Sequence, residues 1–309
     1  MKTTRLFRLR RGVWRVRRSI PRAARPLSAV LPPASPPERP ILLVGCPRSG
    51  TSALLQALLQ SPELGSVHSE GHILWDEFHH PRDRGWDSDA LTAGDVRERE
   101  REYVYTALRL FVRGRRFVDK TPESCLRIGY LDALFPDARF VFLRRRAADN
   151  VNSLIEGWRA RPRFVKYRLP ERLEGLGPLS GSLWSFVLVP SWRELREAPL
   201  EEVAARQYVA SNEAVLDARA GMDPARWVDV AYEDLLAHPA GELERLFERL
   251  ELRVTEGVRR VAASLPQTPS ATSLTFPQPE KWRSQNPELV ERILPLVRPT
   301  EARLGYELA

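Results

Sequence analysis

One stretch constrains the fold more than any other: Ile41-Leu42-Leu43-Val44-Gly45-Cys46-Pro47-Arg48-Ser49-Gly50-Thr51-Ser52-Ala53-Leu54-Leu55. Four apolar residues in a row read as a short, fully buried strand. Two glycines, a proline and two hydroxyls follow, and after Thr51 the apolar spacing becomes that of a helix. Strand, tight loop and helix make a place where the free N–H groups of a helix N-terminus hold an anion. The loop falls just short of a Walker A motif. Gly45 and Gly50 keep the two-glycine spacing and Ser52 sits at the Mg-binding position, but Thr51 stands where the lysine belongs. A cation has entered the loop instead, as Arg48. The next strong strand, residues 140–143, ends in Arg144-Arg145-Arg146 and carries no Walker B acid. The anion is therefore expected to be phosphate-like, handled by arginine and backbone rather than by a metal. The plainer alternative is a Gly/Pro turn with an incidental arginine.

The rest of the chain alternates short apolar strands with helices, which predicts an α/β fold with a central parallel sheet. In such sheets the carboxyl ends of the strands face one crevice. Glu70 follows the extended piece at residues 64–67 and is expected there, where a carboxylate can take a proton from a hydroxyl. His68 and His72 flank it as rival bases. Lys120 ends the strand before Thr121-Pro122, with Thr121 expected to cap a helix that starts at Pro122. Arg145 and Ser153 lie eight apart, one at a helix start and the other two turns on. An arginine there suits a phosphate dianion, which it grips with two parallel bonds. Residues 73–95 place Trp75, Phe78 and Trp86 among polar loop residues, and residues 159–198 lose periodicity. Both are expected to be binding loops, and acceptor-facing insertions are placed near 73–115 and 159–200.

These motifs resemble a family. Gly45 to Ser52 is similar to the 5′-phosphosulfate loop of sulfotransferases that use 3′-phosphoadenosine-5′-phosphosulfate (PAPS), of the bacterial and tyrosylprotein type. The resemblance implies a P-loop-containing nucleotide-binding-like fold, with Pro47, Arg48, Ser49, Gly50, Thr51 and Ser52 around the 5′-phosphosulfate. It implies Arg145 and Ser153 on the 3′-phosphate, although Arg146-Ala147 replaces the family's usual Asp-Pro and leaves Arg144 as a rival contact. It implies Glu70 as general base and Lys120 near the bridging oxygen of the leaving phosphate, with Arg48 also part of the catalytic set. Lys281-Trp282-Arg283 resembles a C-terminal loop segment that folds over the nucleotide, with Lys281 or Arg283 on the 3′-phosphate and Trp282 over the purine; a rigid lead-in to the final helix is the alternative. The Tyr232-Glu233-Asp234-Leu235 segment also fits the family and reads as scaffold.

Charge has to be split before it is used. The net +8 of the chain comes from residues 1–40, where eleven basic residues face Glu38 alone and give +10, leaving −2 for residues 41–309. The body therefore carries no nucleic-acid signature. Within the tail, Leu6, Leu9, Val13, Val16 and Ile20 recur at helical steps with arginines opposite. Residues 1–20 are expected to be a basic amphipathic helix suited to an anionic membrane surface, with a disordered leader or a transit peptide as alternatives. Residues 21–40 read as a Pro-rich linker. Two cysteines, Cys46 and Cys125, without metal-like spacing suit a reducing compartment. The expected setting is cytoplasmic, peripheral on the inner face of a membrane if the tail docks.

The sequence thus predicts a 41–309 domain that moves a sulfuryl group from PAPS to a hydroxyl of a glycan, glycolipid or other small-molecule acceptor, with no metal. A P-loop kinase-like phosphotransferase and a catalytically inactive, membrane-associated nucleotide-binding protein are the alternatives.

Overall fold

The computed structural model describes residue 32 and residues 34–67, 70–269 and 272–307. The expected tail helix over residues 1–20, and His68, lie outside the described residues.

The apolar run forms strand β1 (Ile41–Val44), every residue of it buried, and Thr51–Leu58 forms helix α1. β2 (Leu64–Gly65), α2 (His72–His79) and α3 (Glu98–Val112) follow, then β3 (Arg116–Lys120), α4 (Ile128–Leu134), β4 (Arg139–Arg144) and α5 (Ala147–Arg159). An antiparallel pair, β5 (Val165–Leu173) and β6 (Gly181–Ser185), precedes the long α6 (Leu200–Ala220). β7 (Trp227–Ala231), α7 (Tyr232–Ala237), α8 (Pro239–Arg249) and α9 (Glu256–Ser264) come next. A short α10 (Trp282–Gln285) and α11 (Pro287–Arg303) end the fold.

Among the described residues the main sheet has five strands, ordered β2-β3-β1-β4-β7, and all its pairings are parallel. β1 lies at the centre, with Leu43 opposite Lys120 on one side and Val141 on the other. Successive side chains of a strand face opposite sides. Accordingly Ile41 and Leu43 join Val118, Val141 and Val230 in a core under α1, α8 and α9, while Leu42 and Val44 join Phe117, Phe140 and Phe142 under α3 to α6. Both faces are covered, as parallel sheets require, and each buried aliphatic side chain contributes about 2 kcal/mol. The expected α/β architecture is therefore present. Its parallel strands bring the chain segments after β1, β2, β3, β4 and β7 to one edge.

Two expected loops are more ordered than their composition indicates. Residues 72–79 form α2, whose Leu74 and Trp75 are fully buried. Trp75 is thus a core residue; its helix was hidden by polar neighbours on the outer face. Residues 165–185 contain the β5–β6 pair, and Trp184 packs edge-on against Trp158 and Trp192 in the interior. Thr121 precedes a 3-10 turn at Pro122–Leu126 but makes no capping bond; its Oγ1 accepts from the His72 N–H at 3.3 Å instead. No described helix is long and apolar enough to cross a membrane.

Candidate active site

The loop after β1 is held in an unusual backbone state. Arg48 has φ 73° and Gly50 φ 108°. A non-glycine residue in the left-handed region costs about 1–2 kcal/mol, so it persists only where the surroundings fix it. Here Arg145 donates to the Arg48 carbonyl at 2.9 Å and Asn150 to the Pro47 carbonyl at 2.9 Å. The Ser49 N–H closes a turn onto the Cys46 carbonyl at 3.1 Å, which leaves its hydroxyl as the group that faces the loop's ligand. The N–H groups of Gly50, Thr51 and Ser52 remain at the start of α1, the positions that have no acceptor within a helix. Gly50 is required for a second reason. A Cβ there would meet the Tyr232 ring at 2.5 Å.

Several cations surround this loop. The loop borders an open cavity of about 540 Å³ that Arg48, Arg145, Ser153 and Lys281 also line. Arg48 donates to Ser153 Oγ at 3.3 Å and to the Thr272 carbonyl at 2.7 Å, and its guanidinium lies 4.8 Å over the Phe164 ring. Arg48 and Ser153, assigned to different phosphates by resemblance, are therefore in direct contact. Burial, with repulsion from Arg145 and Arg163, pulls the Arg48 guanidinium down to about 10. Lys281 is lowered as well, by burial and then by Arg145. Crowded cations of this kind are what an incoming polyanion relieves. The buried Arg145 Nε and Ser49 Oγ, both beside the loop, have no hydrogen-bond partner in the protein. These residues fit a ligand with phosphate groups.

The structure separates the rival arginines. Arg145 lines the cavity and lies 4.4 Å over the Tyr232 ring. Arg144 donates to the Leu304 carbonyl and covers Tyr306, away from the cavity. Trp282 and Arg283 do not line it either. Trp282 is buried at the start of α10, and Arg283 lies over that ring while pairing with Glu280 at 3.0 Å.

Glu70 and Lys120, fifty residues apart in sequence, are hydrogen-bonded on the cavity wall. Parallel pairing of β2 with β3 makes their following residues neighbours. His72 Nδ1 stands 3.6 Å from Glu70 Oε2. Behind them, buried Asp119 accepts the Gly71 N–H at 2.7 Å and ties this turn to β3. A Cβ at Gly71 would meet Trp75 at 2.2 Å and Asp119 at 2.8 Å, so only glycine allows the approach.

Burial lifts the Asp119 carboxyl from 3.8 to about 7; Thr121 and Gly71 oppose the rise and the charge of Glu70 adds to it. The folded chain then keeps a proton that the unfolded chain releases between about 4 and 7. This stabilisation is complete below that window and is lost as pH rises through it. Asp119→Asn removes the titration and keeps an acceptor for Gly71. The fall of Tm between pH 4 and 7 is expected to flatten in that variant; an unchanged Tm–pH profile would contradict the assignment.

The sequence reading took Tyr232 as scaffold, and it placed Asp76 in one acceptor-facing insertion and Phe164, Lys166 and Tyr167 in the other without giving any of them a role; all line the cavity, with Glu123. Tyr232 immediately follows β7, at the same sheet edge as Arg145. Nothing local marked Glu123, whose role comes from being brought to Lys166.

A family model described as "Sulfotransferase family" matches residues 40–168 and 182–256. Among solved structures, STF9, a sulfotransferase from Mycobacterium avium, is 17% identical with a TM-score of 0.57, over 92% of this chain and 80% of that one. The sulfotransferase domain from the curacin biosynthetic pathway is 18% identical with a TM-score of 0.52, over 89% of this chain and 100% of that one. At these identities the likeness is one of fold. No curated protein matches the chain.

Proposed function

The chain belongs to the sulfotransferase family, and we propose that it transfers the sulfuryl group of PAPS to a hydroxyl of a glycan, glycolipid or other small-molecule acceptor. The observation that carries this reading is one cavity lined both by the cations Arg48, Arg145 and Lys281 and by the bonded pair Glu70–Lys120. PAPS supplies an activated sulfuryl group on a 5′-phosphate and marks itself with a 3′-phosphate.

The chain's residues divide the work. Arg48 and the N–H groups of Gly50, Thr51 and Ser52 hold the 5′-phosphosulfate end through backbone donors and positive charge. Arg145, with Ser153 and Lys281 beside it, holds the 3′-phosphate. Glu70 takes the proton of the acceptor hydroxyl as that oxygen forms its bond to sulfur. The bond from sulfur to the 5′-phosphate oxygen breaks, and the negative charge left on that oxygen is met by Lys120 and Arg48. Before reaction Lys120 is bonded to Glu70. Arrival of the donor phosphate gives the ammonium a second anion, so Glu70 is released toward the acceptor as Lys120 turns to the leaving group.

The test is release of PAP (3′,5′-phosphoadenosine) from PAPS by the purified protein supplied with a pooled small-molecule extract of the source cells as acceptor, with and without a chelator. Because arginine, lysine and helix N–H groups supply the positive charge, EDTA is expected to leave the rate unchanged within about twofold. A kinase-like phosphotransferase would instead consume ATP and stop on chelation; that outcome would overturn the proposal.

A further inference from the structure

The cavity has two ends of different electrostatic character. At the loop end, Arg48, Arg145 and Lys281 have carbonyl oxygens and hydroxyls as their partners, and no carboxylate within ion-pair distance among the described residues. At the other end each lysine or arginine is already matched. Lys120 is bonded to Glu70, and Lys166 is ion-paired with Glu123. Asp89 and Asp76 stand 3.7 and 3.9 Å from Lys166. Arg127, fully buried behind this wall, lies 3.0 Å from Asp76 and 3.2 Å from Asp89. Tyr167 donates to Asp89 at 2.6 Å and the Leu188 N–H to its other oxygen at 2.7 Å, so the wall is fixed in place. Burial would raise the Glu123 carboxyl, but Lys166, His72 and Arg127 outweigh it and hold Glu123 at about 2. It is therefore ionised at neutral pH, and the Glu123–Lys166 pair is a true ion pair.

We propose that this second end selects against an acceptor that carries an anionic group beside its reacting hydroxyl. The inference deepens the sulfotransfer reading and rests on it. Neighbouring hydroxyls on an acceptor can donate to Asp76 and Glu123 and accept from Lys166, all three of which line the cavity. A carboxylate, phosphate or sulfate on the acceptor would find every cation of this end already paired and would face Asp76, Glu123 and Glu70. Like-charge contact of this kind suppresses a wrong partner strongly. Charge at one end thus recognises the donor, and at the other three cations, Lys120, Lys166 and Arg127, are outnumbered by four carboxylates, Glu70, Glu123, Asp76 and Asp89, which leaves no positive charge for an anionic acceptor.

The experiment incubates the full chain with ³⁵S-labelled PAPS and an extract of the source cells. The extract is first separated on ion exchangers into uncharged, anionic and cationic pools. The label is expected to enter the uncharged pool at least about tenfold more than the anionic pool. Glu123→Gln and Asp76→Asn each unbalance the wall around Lys166, and are expected to shift the anionic-to-uncharged ratio up by about tenfold. PAP binding, which reads the loop end, reports that each variant is folded. Label entering mainly the anionic pool, or folded variants with an unchanged ratio, would overturn the proposal. Label remaining on PAPS with every pool would overturn the sulfotransfer reading, and this inference with it.

Discussion

Replacing Glu70 by glutamine is expected to lower kcat by about 10²–10⁴-fold, the usual contribution of a positioned general base, while PAP affinity stays within about threefold of the parent. The reasoning is local. Glutamine has the size of glutamate and keeps an oxygen for Lys120, so the cavity wall should not move. It cannot take a proton. Because Glu70 is bonded to Lys120, removing its charge also leaves that ammonium with one anion fewer, and any change in PAP binding should be toward tighter. A variant with full kcat would take Glu70 out of the base role. The nearest alternative is then His72, whose Nδ1 lies 3.6 Å from Glu70 Oε2. A variant that loses kcat and PAP binding together would show instead that Glu70 organises the site as a whole.

Arg145→Ala is expected to weaken PAP binding by about a hundredfold, the loss of two charge-assisted bonds, and to weaken AMP, which lacks the 3′-phosphate, by less than about fivefold. Arg48→Ala should weaken both, because it acts on the 5′ end that the two ligands share. The pair of ligands separates position from mere charge. Arg145 also donates to the Arg48 carbonyl at 2.9 Å and covers Tyr232; any effect of its loss on the loop weakens AMP and PAP alike, so the excess loss for PAP reads the 3′-phosphate. Arg145→Lys keeps the charge without the planar fork, and is expected to fall between alanine and the parent. Equal losses for PAP and AMP in Arg145→Ala would move the 3′-phosphate away from Arg145. Calorimetry on the folded variants reads all of these values.

How much of this was legible in the sequence depends on how local each feature is. β1 and α1 were readable because four apolar residues, two glycines and a helical repeat fall within one short stretch. The sheet edge was readable from the same alternation, so Glu70, Lys120 and Arg145 could be placed on one crevice before any coordinates. The bond between Glu70 and Lys120 could not, since it depends on β2 lying beside β3. Composition misled where polar residues cover the outside of a helix. Trp75 read as a loop aromatic and is a core residue of α2. It misled again at Trp184, which read as substrate-facing and packs between Trp158 and Trp192. The Lys166, Glu123, Asp76 and Asp89 wall comes from distant segments, and no single one of them carries a motif. Ser49 shows a finer limit. Its position in the loop was clear, but the turn that uses its N–H depends on the left-handed backbone at Arg48.

The measurement closest to the central claim is a calorimetric titration of PAP into the purified full chain, with ATP titrated in parallel. A cavity with Arg48 and the α1 N-terminus for one phosphate and Arg145 for another should bind PAP at least about a hundredfold more tightly than ATP, which has no 3′-phosphate and whose triphosphate has neither the Walker lysine nor its metal partner here. That ratio is the predicted result. Equal affinity for the two, or ATP preferred in the presence of Mg²⁺, would contradict the account.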